Sequence, residues 1–364
     1  MPPPNVVLDA RLTRQMSVGM RAYVRELVAR LPLIARDLNF IAVTNTDLRA
    51  PDLELIRISE STAANFSFGE QITLPLMIRR RADLGHFMSV YAPRFSPMPF
   101  VYTIHDLIHR RFPEYFSWKI PLYYRIVVRP VAHAARAVIT DARATIQDLK
   151  KHLDLSEDAV RVVPLGVAET FYVEESARAN RAVATRERYD LRAPYVLYAG
   201  NHRKHKNLET LVDAWSRLEQ PCDLALTEDG PFTFASDRYG SRYGRIVPLG
   251  HVAEEELVAL YAGCAAAVQP SSYEGFGLSV LEGMAAGAPV IVAQTPALLE
   301  VAGDAALTFA HDNAAALAGQ LKAALAGGPE IEKLRDRGRR RAFEFTWDRT
   351  ARLTADVYRQ ALRR

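Results

Sequence analysis

Two glutamates separated by a glycine-rich turn have the residue types and spacing best suited to chemistry. Glu274 precedes the turn 275–277, and Glu282 lies one turn into a helix that apolar spacing predicts from Leu278. Glycines let backbone approach a ligand closely, and helix N-termini favour anions such as a diphosphate. Glu282 could accept hydrogen bonds from the diol of a ribose. Alternatively, Ser279-x-x-Glu282 fits a capping box, in which Glu282 bonds only backbone.

A second group of candidate side chains follows an apolar stretch at 195–199. The loop 200–207 contains Arg203, Lys204 and Lys206. Several cations in one strand-to-helix loop can neutralise a diphosphate leaving group and so stabilise the charge that develops in a transition state. A charged surface loop in solvent is the alternative that the pattern leaves open.

A histidine and an aspartate stand where another predicted strand ends. His105 and Asp106 come directly after the apolar stretch Phe100–Ile104. Such a pair fits a general base, a pair that positions a substrate, or a hydrogen bond that stabilises the loop. The residues alone leave these three roles open.

The elements that position these residues alternate between apolar strands and amphipathic helices. This alternation predicts parallel, doubly wound sheets, whose ligands bind at the carboxyl ends of the strands. A length of 364 residues exceeds one ordinary core and predicts two domains. The strands predicted in the first half are Asn5–Asp9, Phe40–Val43, Leu53–Ile58, Leu84–Val90, Phe100–Ile104, Ala137–Thr140 and Val160–Val163.

Composition narrows the class of protein. Hydrophobic residues make up 49% and charged residues 24%, which is ordinary for a soluble globular protein. Cys222 and Cys264 lie in apolar contexts typical of packing residues, which favours a reducing compartment. We find no signal pattern and no apolar run long enough to cross a bilayer, and we therefore expect a cytoplasmic protein. The first strand-to-helix turn lacks G-x-G-x-x-G, which argues against a redox dinucleotide enzyme.

The formal net charge of +4 is concentrated in residues 71–130. Aromatic residues such as Trp118 and Tyr123 interleave with the basic ones there. A basic, aromatic face fits peripheral contact with the anionic inner face of the cytoplasmic membrane, or a phosphate-bearing acceptor. A solvated face beside a core is the alternative, and nucleic acid is not expected because no binding motif accompanies the charge. The basic residues are Arg79, Arg80, Arg81, Arg94, Arg110, Arg111, Lys119, Arg125 and Arg129.

The segment QPSSYEGFGLSVLEGMAAGAPVIV at 269–292 resembles the EX7E signature of the family 4 retaining glycosyltransferases. The likeness covers nearly the entire chain. VYTIHDL at 101–107 is similar to a stretch of mannosyltransferase-like members, LEVAGDAA at 299–306 resembles a common PEVAGDAA, and FTW at 345–347 is similar to the FSW that precedes the last helix.

This resemblance implies an α/β chain with the GT-B fold. Two Rossmann-like, doubly wound domains would face each other across a cleft, and a C-terminal helix would cross back to the N-terminal domain. The implied bounds are 1–175 for an acceptor-binding domain, 190–345 for a nucleotide-sugar-binding domain and 346–364 for the returning helix.

The resemblance also assigns roles to individual residues. Glu282 would hold the ribose hydroxyls, Lys206 would neutralise the diphosphate, and His105 would lie beside the donor sugar. The second cation on the diphosphate stays open, because this chain has His205 where many members have Arg. We therefore expect catalytic roles for His105, Lys206 and Glu274. The expected donor-binding set is Gly19, Arg203, Lys206, Glu274, Gly275, Phe276, Gly277, Leu278 and Glu282.

The implied function is transfer of a hexose from a nucleotide-sugar donor to a glycan acceptor with retention at the anomeric carbon. Mannose from GDP-mannose is the preferred donor, and a polyprenyl-diphosphate-linked glycan of cell-surface polysaccharide assembly is the preferred acceptor. No D-x-D occurs, which agrees with transfer without a metal ion or other cofactor. The alternatives are a GT-B nucleotide-sugar epimerase, a disaccharide phosphorylase, and a non-catalytic nucleotide-sugar-binding protein.

Overall fold

The chain divides into two compact units, Met1–Gly166 with Trp347–Arg364 as unit 1 and Val167–Thr346 as unit 2. The computed structural model describes residues 2–12, 16–45, 53–57, 69–79, 81–172, 175–192, 194–228 and 244–363, with backbone alone for 175–181. Arg80 of the predicted basic face and Ile58 of a predicted strand lie outside the described residues.

Unit 1 is built on a wholly parallel sheet. Its strands are β1 (Asn5–Asp9), β2 (Asn39–Thr44), β3 (Glu54–Arg57), β4 (Leu84–Phe87), β5 (Phe100–Thr103), β6 (Ala137–Thr140) and β7 (Val160–Val162). They are ordered β3-β2-β1-β4-β5-β6-β7. Every residue of β4, β5 and β6 is buried, as expected for central strands covered on both faces. The strand order reverses beside β1, as in doubly wound folds.

Helices flank this sheet. Ser17 caps α1, because its side chain accepts a hydrogen bond from the Met20 backbone N–H. A π-helical segment, Tyr124–Val128, continues α4 into α5. The described helices of this part are α1 (Val18–Ile34), α2 (Leu74–Ile78), α3 (Ile108–Arg111), α4 (Lys119–Tyr123), α5 (Arg129–Ala134) and α6 (Ala144–Leu153).

Unit 2 also has a parallel sheet with flanking helices. Its strands are β8 (Tyr195–Tyr198), β9 (Asp223–Thr227), β10 (Ile246–Gly250), β11 (Ala266–Gln269), β12 (Val290–Ala293) and β13 (Leu307–Phe309). All pair in parallel in the order β10-β9-β8-β11-β12-β13, so β8 and β11 adjoin where the order reverses. The helices are α7 (Glu175–Arg188), α8 (Leu208–Ser216), α9 (Glu254–Gly263), α10 (Leu278–Ala285), α11 (Pro296–Ala302), α12 (Ala314–Ala326) and α13 (Pro329–Ala342).

The stretch between the two predicted domains is helical. α7 packs against α9 within unit 2. Arg188 forms an ion pair with Glu256, and the Tyr189 hydroxyl donates to Glu256 at 2.8 Å. The low content of large apolar residues in this stretch therefore reflects a surface helix.

The last helix, α14 (Trp347–Leu362), packs on α1 and belongs to unit 1. Arg30 and Asp348 form an ion pair at 2.9 Å, and the Tyr358 hydroxyl lies 2.6 Å from Nδ1 of His86. The predicted return of the C-terminal helix to the first domain is confirmed. Among the described residues, no helix is both long and apolar enough to cross a membrane.

Candidate active site

The turn into α10 depends on a glycine. Gly277 is the N-cap residue and has φ +111°, a conformation that favours glycine. A Cβ at this position would also lie 2.8 Å from Cδ2 of Leu298. α10 begins at Leu278, where the spacing predicts it.

The capping-box alternative for Glu282 is wrong. Because α10 begins at Leu278, Ser279 lies inside the helix, and no side chain caps its N-terminus. The hydroxyl of Tyr261 on α9 donates to the Ser279 carbonyl oxygen at 3.2 Å and lies near enough to the Glu282 carboxyl group to influence its pKa. Among the described residues, the Glu282 side chain therefore makes no hydrogen bond that caps α10.

Glu282 titrates near neutral pH. Burial raises the pKa of Glu282 to about 7, and the negative charge of Glu254 adds to this rise, whereas the Tyr261 hydroxyl opposes it. Shifts of this kind, with a defined neighbour, are typical of functional sites. When ionised, the carboxylate is an acceptor that hydroxyl groups of a ligand can satisfy.

Lys206 and Glu274 form an ion pair. Nζ lies 2.6 Å from Oε1, with the side chains 14% and 13% exposed. The same oxygen accepts hydrogen bonds from Nε2 of Gln269 at 2.8 Å and Oγ of Ser271 at 2.7 Å. Within the described residues, Oε2 accepts no hydrogen bond. One oxygen is thus held by three donors, and the other remains for a ligand.

The environment keeps Glu274 ionised. Burial alone would raise its pKa, but the charge and hydrogen bond of Lys206, together with the bonds from Ser271 and Gln269, lower the pKa of Glu274 overall. Glu274 is therefore a carboxylate at neutral pH.

The loop that carries Lys206 is fastened to the end of β11. The carbonyl of buried His205 accepts bonds from Ser272 through its backbone N–H at 2.9 Å and its hydroxyl at 3.0 Å. Asn207 Nδ2 donates to the carbonyl oxygens of Pro270 at 3.1 Å and His311 at 2.6 Å. These bonds fix the base of Lys206 relative to Glu274.

His205 does not supply a second cation. Burial lowers the pKa of His205 to about 4, and the neighbouring charge of Lys206 lowers it further, so its ring is neutral at pH 7. Arg203 and Lys204 are exposed in the same loop. Of these three, the exposed pair could still reach an anion, whereas His205 is part of the loop's packing.

In unit 1, the carboxylate partner of His105 is Asp141 rather than Asp106. Nδ1 lies 2.8 Å from Oδ2 of Asp141, and Nε2 lies 3.2 Å from the Met88 carbonyl oxygen. Asp106 accepts from the Ile108 backbone N–H at 3.0 Å and so has the loop-stabilising role. Asp141 was not among the residues predicted from the sequence. The available signal was its place directly after β6, the neighbour of β5 in the sheet.

The surroundings of His105 favour the charged form of its ring. Burial alone would lower its pKa, but the charge of Asp141 and the hydrogen bond to it raise the pKa of His105 above its ordinary value. Both ring nitrogens face oxygen atoms, an arrangement that suits a doubly protonated ring. A ring held in this form would donate hydrogen bonds and position a substrate rather than act as a base.

The predicted site residues therefore form two groups. Lys206, Glu274, residues 275–278 and Glu282 lie at the carboxyl ends of β8 and β11 in unit 2. Gly19, the second residue of α1, and His105 follow the carboxyl ends of β1 and β5 in unit 1. In the described part of the chain, no group of three or more His, Cys, Asp or Glu side chains could hold a metal ion.

Two family models match the chain. The model described as Glycosyltransferase Family 4 matches residues 19–171, and the one described as Glycosyl transferases group 1 matches residues 193–327. The first match lies mostly in unit 1, and the second lies in unit 2. Together they cover every described strand of both sheets except β1.

Individual proteins give the same result. O-antigen chain mannosyltransferase B of Escherichia coli is 27% identical over 269 residues, which are 71% of this chain and 70% of that protein. MMP alpha-(1->4)-mannosyltransferase of Mycolicibacterium hassiacum is 31% identical over 284 residues, which are 73% of this chain and 66% of that protein. Anabaena HepE in complex with UDP-glucose matches with a TM-score of 0.76 at 16% identity, over 98% of this chain and 99% of that one. This chain belongs to glycosyltransferase family 4, has the GT-B fold and is mannosyltransferase-like.

Proposed function

We propose that this glycosyltransferase moves mannose from GDP-mannose to a glycan acceptor, with retention at the anomeric carbon and without a metal ion. The observation that carries the proposal is the Lys206–Glu274 pair beside the N-terminus of α10. In this arrangement an ammonium group, an ionised carboxylate and the backbone N–H groups at the start of a helix lie together at the carboxyl ends of β8 and β11.

Each group would have a distinct role toward the donor. Ionised Glu282 would accept hydrogen bonds from the ribose hydroxyls, and the backbone of 275–278 would approach the diphosphate. The ammonium of Lys206 has three donors, so it can keep its bond to Glu274 and still reach a phosphate oxygen. Oε2 of Glu274 would accept from a sugar hydroxyl. Fixed donors that stabilise the charge of a departing diphosphate supply much of the rate enhancement in enzymes that use them.

The choice of mannose is supported by two observations. The relatives from Escherichia coli and Mycolicibacterium hassiacum are both named as mannosyltransferases. The VYTIHDL stretch at 101–107 is similar to mannosyltransferase-like members. UDP-glucose is the competing donor, because it is bound in HepE.

A lipid-linked acceptor is supported by an exposed stripe on unit 1. Trp118, Leu122 and Ile126 recur every four residues and are 77%, 43% and 50% exposed. Exposed Lys119 and Arg125 lie beside them. Cations flanking an exposed apolar stripe are typical of a segment that lies in the interface of an anionic bilayer. We therefore propose peripheral attachment at the inner face of the cytoplasmic membrane, where a polyprenyl-diphosphate-linked glycan would be presented.

The donor is tested by turnover. The purified protein is given GDP-mannose or UDP-glucose with a polyprenyl-diphosphate-linked glycan, with and without EDTA, and the product is analysed by mass and anomeric NMR. We expect mannose transfer with retention that EDTA does not change. Transfer from UDP-glucose alone would overturn the donor assignment. An epimerised donor would support the epimerase alternative, and binding without turnover would support the non-catalytic one. Release of a sugar phosphate from a disaccharide and inorganic phosphate, in a separate incubation, would support the phosphorylase alternative.

Membrane attachment is tested by co-sedimentation with vesicles. The triple variant W118S/L122S/I126S should bind phosphatidylglycerol vesicles at least tenfold more weakly, because the inserted apolar area is lost. V183S is the matched control, since Val183 is an apolar residue of a unit 2 helix and is 47% exposed. Equal vesicle binding by the wild type, the triple variant and the control would contradict the proposed attachment.

A further inference from the structure

Two buried histidines of unit 1 have pKa values shifted in opposite directions because their partners differ. The nitrogens of His86, which is 1% exposed, lie 2.6 Å from the Tyr358 hydroxyl and 2.7 Å from the Thr103 hydroxyl. Hydroxyls can donate as well as accept, so they satisfy a neutral ring. Burial lowers the pKa of His86 to about 3, and repulsion from His105 adds to this effect.

His105, by contrast, meets only acceptors. Nδ1 lies 2.8 Å and 3.1 Å from the two carboxylate oxygens of Asp141, which is 2% exposed. Nε2 points to the carbonyl oxygen of Met88 at 3.2 Å. A neutral imidazole has one N–H and could donate to only one of these oxygens, so the arrangement favours a doubly protonated ring beside an ionised Asp141.

The remaining neighbours of His105 are few. The Tyr23 ring meets it edge to face, with centroids 4.7 Å apart and planes at 85°. Asp106 adds a weaker negative charge, and neutral His86 adds none. Asp141 is thus the group whose charge and hydrogen bond hold the proton on the ring.

We propose that Asp141 is a positioning residue of the transfer reaction, which fixes His105 as an imidazolium so that Nε2–H can turn from the Met88 carbonyl to a hydroxyl of a bound sugar substrate. This inference rests on the proposed function, because it takes His105 to lie beside the sugar. Asp141 itself touches only His105 in this scheme. A carboxylate that orients a histidine and stabilises its cation is a well-established device in other enzymes.

The charge state is tested without any assay of activity. Histidine labelled with ¹³C at Cε1 is incorporated into the full chain, the His105 signal is assigned with H105Q, and its chemical shift is followed against pH. We expect the wild-type pKa of His105 to exceed 6.5, the ordinary value. D141N keeps the side-chain shape and should lower this pKa by at least about one unit. A wild-type pKa at or below 6.5 overturns the inference, even if D141N fails to fold.

The role in catalysis is tested by the pH profile of kcat. In D141N the alkaline limb should move to lower pH by the change measured in the titration, with kcat at pH 8 reduced about tenfold or more and the donor KM little changed. D106N is the matched control and should move the limb by less than a third as much. A uniform loss of activity across pH, with the limb unmoved, would mean a merely structural role. Absence of transfer by the wild type would count against the proposed function, whereas an unshifted His105 pKa counts against the Asp141 inference alone.

Discussion

At the scale of single residues, two glutamates eight positions apart have opposite electrostatics. Glu274 has three donors on one oxygen and a lowered pKa. Glu282 has a hydroxyl neighbour, a nearby acid and a pKa raised to about 7. Substitution of each glutamate by glutamine should therefore affect stability with opposite sign.

Removing the Lys206 charge should impair both catalysis and stability. We expect K206M to lower kcat/KM by about 10² to 10³, because the ammonium group that we propose stabilises the leaving diphosphate is lost. The unfolding free energy should fall by about 2 kcal/mol, since Glu274 keeps a partly buried charge without its cation. Steady-state kinetics and urea unfolding measure the two effects. The control K322M removes an exposed cation of α12, outside the loop, and should change neither. Equal kinetics in the two variants would remove Lys206 from the mechanism.

We expect Glu282 to lower the stability of the folded protein above neutral pH while it contributes to donor binding. Its pKa is about 7 in the folded protein against an ordinary 4.5, so its contribution to stability falls as pH rises from 4.5 to 7. E282Q should therefore raise the unfolding free energy at pH 8 by about 2 kcal/mol, a value reduced for partial exposure, while weakening donor binding. E274Q should lower it, because the pKa of Glu274 is lowered. In the wild type, the donor KM should rise as pH falls below about 7. Urea unfolding and a pH series of KM test these signs, and a destabilised E282Q would contradict them.

At the scale of elements, the position of α10 depends on one left-handed residue. G277A should lower the unfolding free energy by about 1–3 kcal/mol, because alanine at φ +111° is strained and its Cβ meets Leu298. G319A is the matched control, since Gly319 lies in α12 with no heavy atom within 4 Å of an added Cβ. It should stabilise by about 0.5–1 kcal/mol. Urea unfolding compares the two variants, and a loss that is equal in both would refute the role of φ.

Some elements could be predicted from the sequence and others could not. β11, the glycine turn and α10 were predictable, because apolar spacing and paired glycines signal them locally. The capping box at Ser279 was wrong, since only the backbone angle of Gly277 sets the helix start one residue before Ser279. Asp141 was missed because its pairing with His105 depends on which strands adjoin, 36 residues apart in the chain.

At the scale of the whole molecule, unit 1 is assembled from both ends of the chain. α14 buries Trp347, Ala351 and Tyr358 within that unit. Deleting residues 347–364 should therefore destabilise unit 1 and spare unit 2. Trp118 is exposed and Trp347 is removed by the deletion, so the remaining buried tryptophan, Trp215, reports on unit 2.

Fluorescence and limited proteolysis measure this difference. The shortened chain should keep a cooperative unfolding transition of Trp215 near that of the full chain, while protease cuts unit 1 readily. Rapid digestion of both units, or of neither, would argue against this division of the chain.

The return of α14 also bears on how the protein is made. The ribosome releases the strands of unit 1 first, then about 180 residues of unit 2, and only afterwards the helix that covers α1. At 5–20 residues per second, synthesis of that insertion lasts roughly 10 to 40 s. During this interval the apolar side of α1 in unit 1 lacks the helix that covers it, while unit 2 can already fold. Chaperones that bind nascent chains should therefore bind the amino-terminal part.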